Sequence, residues 1–491
     1  MKSVQSSIFF SAIERYTSLL LLFFSTAMLS RLLTPAEFGI FAVINALTAV
    51  VAASFQEFGG ANYLIQKQQL SHANIRTAFT VTLAISALVG VGFFALAETL
   101  SRFFEQASLT RGIAVSSLNF LLVPFSGTLS ALFRRNMEFG KLAICNLGAN
   151  AAIALVSIGL AMAGFSYMAP IWGSVAGNLL LTVMLLAWNR DLSMFRPSLV
   201  EHRDVVGFGL YSSGVVIINV FYSLSPQLFL AKILDFASVG LYSRAINITQ
   251  MFDRLVMQVL NPVIMPALVA QRTSGANLKR VYLEAIELLS AVQWPFLVFV
   301  AIMARSIILI WLGQNWLEIV PLVRLLCIAN LALFAACLSY PMLVAVGSVR
   351  DALVSSFISL PPSLIVILCA SFFGVQAVAA SALLTLPFQA AVAIYFLSRH
   401  LAIRPAELAR PLLRSCVVTV VTACGVGGCA ALIDAGMLTP FVGLIAAFGV
   451  AALCWWLALV QTGHPLRDRF YHAVGDLAVI APWLRSWRAA A

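Results

Sequence analysis

The chain has 491 residues, 61% of them hydrophobic and 10% charged, and its 30 lysines and arginines outnumber 19 acidic residues to give a formal charge of +11. A soluble globular protein carries about 25% charged residues, so the composition excludes that class. The cations are scattered in short segments beside apolar runs and form no basic patch, which excludes nucleic acid as a partner and points to a bilayer surface.

Apolar runs near the ~20 residues needed to span hydrocarbon fall at about residues 8–33, 37–56, 77–97, 112–132, 142–163, 167–188, 207–230, 238–269, 283–312, 318–340, 352–373, 375–398, 412–433 and 438–461. The first continues from Met1 to Leu33 with Glu14 and Arg15 inside it, unlike the roughly 7–15-residue apolar core of a secretory signal, so no cleavable leader is expected. With the N-terminus in the cytoplasm, twenty-one of the 30 cationic residues fall in cytoplasmic connections or the tail. Only Arg31, Arg102, Arg111 and Lys232 fall in the opposite connections, and Arg15, Arg244, Arg254, Arg305 and Arg324 lie inside apolar segments. The positive-inside rule then places both termini in the cytoplasm of a multi-pass inner-membrane protein.

The expected fold is an all-α polytopic membrane protein of about fourteen transmembrane helices. The stretch leaving the first span, Leu29-Ser-Arg31-Leu-Leu33-Thr-Pro-Ala36-Glu-Phe-Gly39-Ile-Phe41, repeats 201 residues later as Leu230-Ala-Lys232-Ile-Leu234-Asp-Phe-Ala237-Ser-Val-Gly240-Leu-Tyr242. Such matching implies an internal duplication. Two pseudo-symmetric six-helix lobes follow, 1–190 and 207–400, joined by a cytoplasmic linker at 191–206. Two additional helices occupy 401–461, outside the pairing, and a cytoplasmic tail covers 462–491. Six is even, so both lobes enter the membrane from one side, as in parallel-repeat transporters, and a substrate path is expected between them. The matched Gly39 and Gly240 open each lobe's second helix, where glycine permits close backbone approach; they are the candidate outer gate. The tail, with Trp483 and Trp487 among arginines, reads as an interfacial helix.

Several prolines fall inside spans, and each is expected to kink its helix. Pro295, beside Trp294, is the preferred hinge. The eight cysteines all fall in apolar segments and read as small core residues, while His72, His202, His400, His464 and His472 fall in cytoplasmic connections or the tail and read as solvated. No Walker loop, G-x-S-x-G or H-E-x-x-H motif occurs. The chain is therefore not expected to be an enzyme, to hold a metal or cofactor, or to carry its own ATP-driven engine.

Ionisable groups at membrane depth need an interior partner or a cavity. Glu14 and Arg15 lie about two turns into the first span; Arg244, Asp253 and Arg254 lie in the eighth. On a regular helix Arg244 and Arg254 sit ~15 Å apart in rise and roughly 80° apart in azimuth, so they could line one cavity at two depths. These five are the candidate substrate-binding residues, with pairing to Glu14 and Asp253 as the structural alternative. A cationic cavity suits a diphosphate, which guanidinium groups bind bidentately. Snorkelling suffices for Arg305 and Arg324, and Glu284 and Glu287 are expected to pair locally with Lys279 and Arg280.

The chain resembles the polysaccharide-transport or Wzx-like flippases of the multidrug/oligosaccharidyl-lipid/polysaccharide exporter superfamily. The likeness is carried by Arg31-Leu-Leu-Thr-Pro35-Ala-Glu37-Phe38-Gly39, Gly59, Leu64-Ile-Gln66, Gly207-Phe-Gly209, Gly240-Leu-Tyr-Ser-Arg244-Ala245, Pro266-Ala-Leu, Trp311-Leu-Gly-Gln-Asn-Trp316 and Pro321-Leu-Val-Arg324. The resemblance implies an undecaprenyl-diphosphate-linked oligosaccharide as substrate, flipped for exopolysaccharide, capsule or O-antigen assembly. It further implies membrane lipid as a contact and a polymerase and chain-length regulator as pathway partners. One departure is Ser223-Leu-Ser-Pro226-Gln227, where similar proteins often carry an acidic residue, so no coupling carboxylate is carried over. The competing readings are a multidrug or cation exporter, which needs an anionic or aromatic cavity, and a membrane glycan polymerase or ligase, which needs a large outer loop. The topology is tested by reporter fusions: those at Ala169 and Asp434 are expected to report the periplasm, and those at His202 and the C-terminus the cytoplasm. A periplasmic C-terminus would refute the span count.

Overall fold

The computed structural model describes residues 4–56, 64–65, 67, 70–189, 191–199, 202–275, 277–334 and 336–471. The tail helix expected around Trp483 and Trp487, together with Gly59 and Gln66, lies outside the described residues. Among the described residues every regular element is helical. In order these are α1 (Val4–Leu32), α2 (Pro35–Gln56), α3 (His72–Ala95), α4 (Ala97–Phe103), α5 (Ser108–Ser116), α6 (Leu118–Arg135), α7 (Phe139–Met162), α8 (Met168–Trp188), α9 (His202–Ile233) and α10 (Phe236–Thr249). A π-helical turn at Asp253–Met257 then leads into α11 (Gln258–Thr273), α12 (Leu278–Ile302), α13 (Ala304–Trp311), α14 (Val320–Asn330), α15 (Ala336–Val346), α16 (Val349–Ser371), α17 (Val375–Leu401), α18 (Pro405–Asp434) and α19 (Pro440–Gln461). Eleven segments among the described residues are long and apolar enough to cross a membrane. The other three expected spans, the first, seventh and eighth, coincide with α1, α9 and the interrupted run α10 to α11.

The helices group into two compact units. One comprises Met1–Arg244, Leu312–Trp316 and Ile367–Val378; the other comprises Ala245–Trp311, Leu317–Val366 and Ala379–Ala491.

In the first unit, small residues let helices approach closely, as membrane packing favours. A methyl group on Gly173 would meet Ser157 Oγ at 2.0 Å, and one on Gly177 would meet Ile153 Cγ1 at 2.2 Å, so α7 and α8 pack almost backbone to backbone. Against the other side of α7, α1 is tied by Asn146 donating to Glu14 Oε1 at 2.6 Å and Asn150 donating to Ser18 Oγ at 2.9 Å. Leu129, Phe133, Leu142, Cys145, Leu185 and Met194 close the core at one end. The linker after α8 lies along α3: Arg76 donates to the Arg196 and Pro197 carbonyls, and the Asp191 carboxylate caps Ser193 N. That cap holds the Asp191 carboxyl below its ordinary range.

In the second unit, α12 packs along α18, and α18 along α19, so the two helices standing outside the sequence repeat share a core with the ninth span. Ala291, Val418, Ala458 and Leu459 are buried together, Ser290 donates to Ser415 Oγ at 2.8 Å, and Trp455 donates its indole N–H to the Ala291 carbonyl at 2.7 Å. Three sequence expectations are corrected here. Lys279 pairs with Glu407 at 2.7 Å, Glu287 with Arg414 at 3.3 Å and Glu284 with Arg469 at 3.9 Å, so these charges bridge segments distant in sequence, and among the described residues they form no local ion pair. Cys369, Cys416 and Cys424 are exposed on apolar helices, a surface that lipid tolerates, so only some cysteines are core residues.

The third correction concerns His464, which is fully buried rather than solvated. Its Nδ1 accepts from Leu466 N at 3.2 Å, which assigns the proton of the neutral ring to Nε2, 3.5 Å from Ser415 Oγ. Burial, and secondarily the Arg414 guanidinium, push its pKa down to about 4 from an ordinary 6.5. An imidazole that resists protonation when folded contributes stability that is complete above pH 6.5 and is lost as pH falls toward 4. Thermal unfolding of the detergent-purified protein is therefore expected to weaken from pH 7 to pH 5 more steeply than that of His464→Gln; parallel curves would remove this residue from the pH dependence.

Candidate functional site

The duplicated motif folds twice into the same helix start. In the first copy Glu37 Oε2 accepts from Thr34 N at 2.8 Å and from Thr34 Oγ1 at 2.9 Å, while Glu37 N donates to Thr34 Oγ1 at 3.3 Å, a capping box at the head of α2. In the second, Asp235 stands where Thr34 does and accepts from Ser238 N at 2.6 Å at the head of α10. The two starts touch through the matched glycines. A methyl group on Gly39 would lie 1.6 Å from the Phe236 carbonyl oxygen, and one on Gly240 2.0 Å from the Pro35 carbonyl oxygen. No side chain other than hydrogen fits at either position, which is why both copies carry glycine. The adjacent cations differ: Lys232 reaches Glu105 at 2.8 Å and the Phe103 carbonyl at 2.7 Å, holding the Glu105 carboxyl below its ordinary range, whereas Arg31 is exposed with its stem beside Gly313.

Arg244, early in the eighth span as expected, is 3% exposed. Its guanidinium carbon lies 3.5 Å from the Phe38 ring centroid and 5.5 Å from that of Trp316, and the two rings meet edge to face at 5.9 Å. Trp316 is itself fully buried and donates its indole N–H to the Ser30 carbonyl at 2.7 Å. Phe38 of the first motif copy and Trp316 thus enclose one cation, Arg244, which lies two residues past the second copy. Cation–π contact with a desolvated guanidinium contributes about 2 kcal/mol or more. The enclosure joins residues about 280 apart, so nothing in the local sequence around Phe38 or Trp316 reveals it.

The remaining candidates sit differently. Glu14 and Arg15 are both partly buried on α1, with Glu14 held by Asn146. Arg254 is partly buried and donates to Asn247 Oδ1 at 2.7 Å; Asp253 beside it is exposed. The regular-helix reckoning that set Arg244 and Arg254 on one side is corrected, because α10 ends at Thr249 and the π turn at Asp253–Met257 shifts the azimuth of everything after it. Arg244 closes the first compact unit, whereas Asp253 and Arg254 belong to the second. Pro295 lies buried inside a continuous α12, which ends at Met303. It borders an apolar groove of about 320 Å³ with Phe296, Phe299, Phe448 and Trp455.

Among the described residues every regular element is helical and eleven segments are of membrane-spanning length, which defines a polytopic membrane protein. Residues 28–321 match the family described as "Polysaccharide biosynthesis protein", and the chain belongs to that family. Among its relatives, the lipopolysaccharide biosynthesis protein WzxC of Escherichia coli (strain K12) is 23% identical over 308 residues, 62% of each chain. The succinoglycan biosynthesis transport protein ExoT of Rhizobium meliloti (strain 1021) is 23% identical over 353 residues, 70% of each. The match to WzxC thus spans somewhat under two thirds of that relative's length. Among solved structures, the lipid II flippase MurJ in an inward closed conformation superposes with a TM-score of 0.73 at 12% identity, over 92% of this chain and 98% of that one. An inward-facing multidrug resistance MATE family transporter of the MOP superfamily gives 0.63 at 14% identity, over 78% and 95%. The chain has the fold these transporters share.

The glycine crossing is testable directly. Gly240→Ala is expected to cost at least ~1–3 kcal/mol, since an added methyl meets rigid backbone, and to lower the unfolding midpoint in detergent. Gly159→Ala, where a methyl meets open space, serves as the control and is expected to leave it unchanged. Equal midpoints for both variants would show that the crossing tolerates a side chain.

Proposed function

We propose that this protein flips undecaprenyl-diphosphate-linked oligosaccharide repeat units across the inner membrane by alternating access, for assembly of exopolysaccharide, capsule or O-antigen, with both termini in the cytoplasm. The observation that carries this reading is the retention of Arg15, Arg244 and Arg254 within apolar helices of a chain from a polysaccharide biosynthesis family. A guanidinium at the bilayer centre costs at least about 2.5–3.5 kcal/mol on insertion scales, a cost that an anionic substrate offsets. Cationic lining also disfavours the alternative of a cation exporter. Membrane lipid is the surrounding contact, and a polymerase and chain-length regulator of the same pathway are the partners this reading calls for.

Within it, Arg15 and Arg254 contact the diphosphate, with Glu14 and Asp253 beside them. Arg244, already enclosed by Phe38 and Trp316, has the weaker claim to substrate. The six-helix lobes 1–190 and 207–400 move about the path, the linker 191–206 joins them, helices in 401–461 complete the bundle and the tail 462–491 stays cytoplasmic. Gly39 and Gly240 form the outer gate, and the close contact between them supports a closed state at that point. Pro295 is the hinge.

Replacing Arg15 or Arg254 by Gln is expected to abolish polymer export at unchanged protein level, because losing a charge-assisted bond in a desolvated site costs ~2–5 kcal/mol. Full export by a well-expressed double Gln variant would take both residues out of the substrate path.

A further inference from the structure

Helix α12 begins beside Lys279 and Arg280 and runs to Ile302; at this far end the chain breaks at Met303 and restarts as α13. There Arg305 and Arg324 line one cavity of about 640 Å³ together with Ile302, Ser306, Asp434 and Pro440. All of these belong to the second compact unit. Both guanidinium side chains are exposed, and among the described residues neither has a carboxylate within ion-pair distance. Arg324 is held in place by donating Nε–H to the Ala301 carbonyl at 3.3 Å, at the C-terminal end of α12.

Snorkelling explains one arginine at a helix end. It does not explain two like charges converging on a shared cavity, which repel unless an anion sits between them. The first turn of α13, with Arg305 and Ser306, faces the same cavity, and a helix start adds partial positive charge. Asp434 on the opposite wall would repel a bare anion brought close to it, but it accepts a hydrogen bond from a hydroxyl. Cavity size is within the range of small-molecule sites, about 300–1,000 Å³.

We propose that this cavity binds a phosphate ester bearing hydroxyl groups, with Arg305 and Arg324 on the phosphate oxygens and Asp434 on a hydroxyl. The site contains none of the arginines assigned to the transport path, so it does not rest on that reading. Its ligand has two possible sources, the headgroup of a phosphatidylglycerol-type lipid or a free polyol phosphate.

Native mass spectrometry of the full chain, delipidated in detergent and titrated with phosphatidylglycerol, phosphatidic acid or phosphatidylethanolamine, tests this, with free glycerol phosphate as competitor. Phosphatidylglycerol is expected to be retained over phosphatidylethanolamine, and Arg305→Gln/Arg324→Gln to reduce that retention about tenfold or more, the scale of losing charge-assisted bonds. Arg305→Lys/Arg324→Lys keeps part of it, and Asp434→Asn removes the preference for phosphatidylglycerol over phosphatidic acid. Resistance to glycerol phosphate assigns the lipid source; displacement by it assigns the free ester. Each single Gln variant alters one exposed side chain and gives the same comparison where the double variant is not recovered. Equal retention of phosphatidylglycerol and of glycerol phosphate by wild type and Gln variants, or retention of neither by wild type, overturns the proposal.

Discussion

A helix in hydrocarbon has no water to complete its hydrogen bonds, so every polar group at that depth must find a partner in the protein. Many of the described polar groups meet this constraint through a contact within the protein. Hydroxyls bond back to the carbonyl four residues earlier, as in Ser30 to Thr26, Thr48 to Ile44, Thr182 to Asn178 and Thr422 to Val418. Indoles of Trp294, Trp316 and Trp455 each donate to a carbonyl of another helix. Charges follow the same rule with stronger partners, Arg244 between two rings and Glu14 on an asparagine amide. The polar contacts therefore determine which helices can be neighbours, while apolar packing alone would accept many arrangements in lipid.

Backbone irregularity obeys it too. Prolines were the sequence's only visible markers of bent helices, yet α12 runs through Pro295 and α17 through Pro387 without interruption. The breaks fall elsewhere, at Thr249–Asp253, at Met303 and at Leu331–Phe334, in segments whose letters look helical throughout. A π turn widens the helix by one residue and leaves carbonyls that a neighbour must satisfy. At the break after α14, Trp294 donates to the Leu331 carbonyl at 2.9 Å. Such partners come from other helices, and local sequence does not announce them.

This separates what was legible from what was not. Apolar run length locates the spans, because bilayer thickness imposes it on each helix independently. The duplication was legible because its two copies preserve a local device, the Thr34 and Asp235 caps with Gly39 and Gly240 one turn on. The ion pairs Lys279–Glu407 and Glu287–Arg414 and the buried His464 were illegible, since each depends on α18 and the segment after α19 lying against α12. The aromatic enclosure of Arg244 had a faint signal, two aromatic motif residues without an evident purpose, but no spacing rule connects Phe38 to Trp316.

The arginines that look alike in sequence now divide by what surrounds them. Rings at 3.5 and 5.5 Å stabilise the Arg244 charge by quadrupole attraction and at the same time occupy the faces through which the guanidinium would stack on a ligand. Exchanging these contacts for a diphosphate requires the Phe38–Trp316 pair to open, and Trp316 is anchored to Ser30, so opening would disturb the end of α1 and the adjoining head of α2. Arg254 has a different kind of contact, a hydrogen bond donated to the Asn247 side-chain oxygen. An amide oxygen fixes the guanidinium's orientation without carrying a compensating charge, and the neighbouring anion is Asp253. Arg244, with its faces occupied, thus ties the segment that follows the second motif copy to Phe38 of the first, close to where Gly39 meets Gly240.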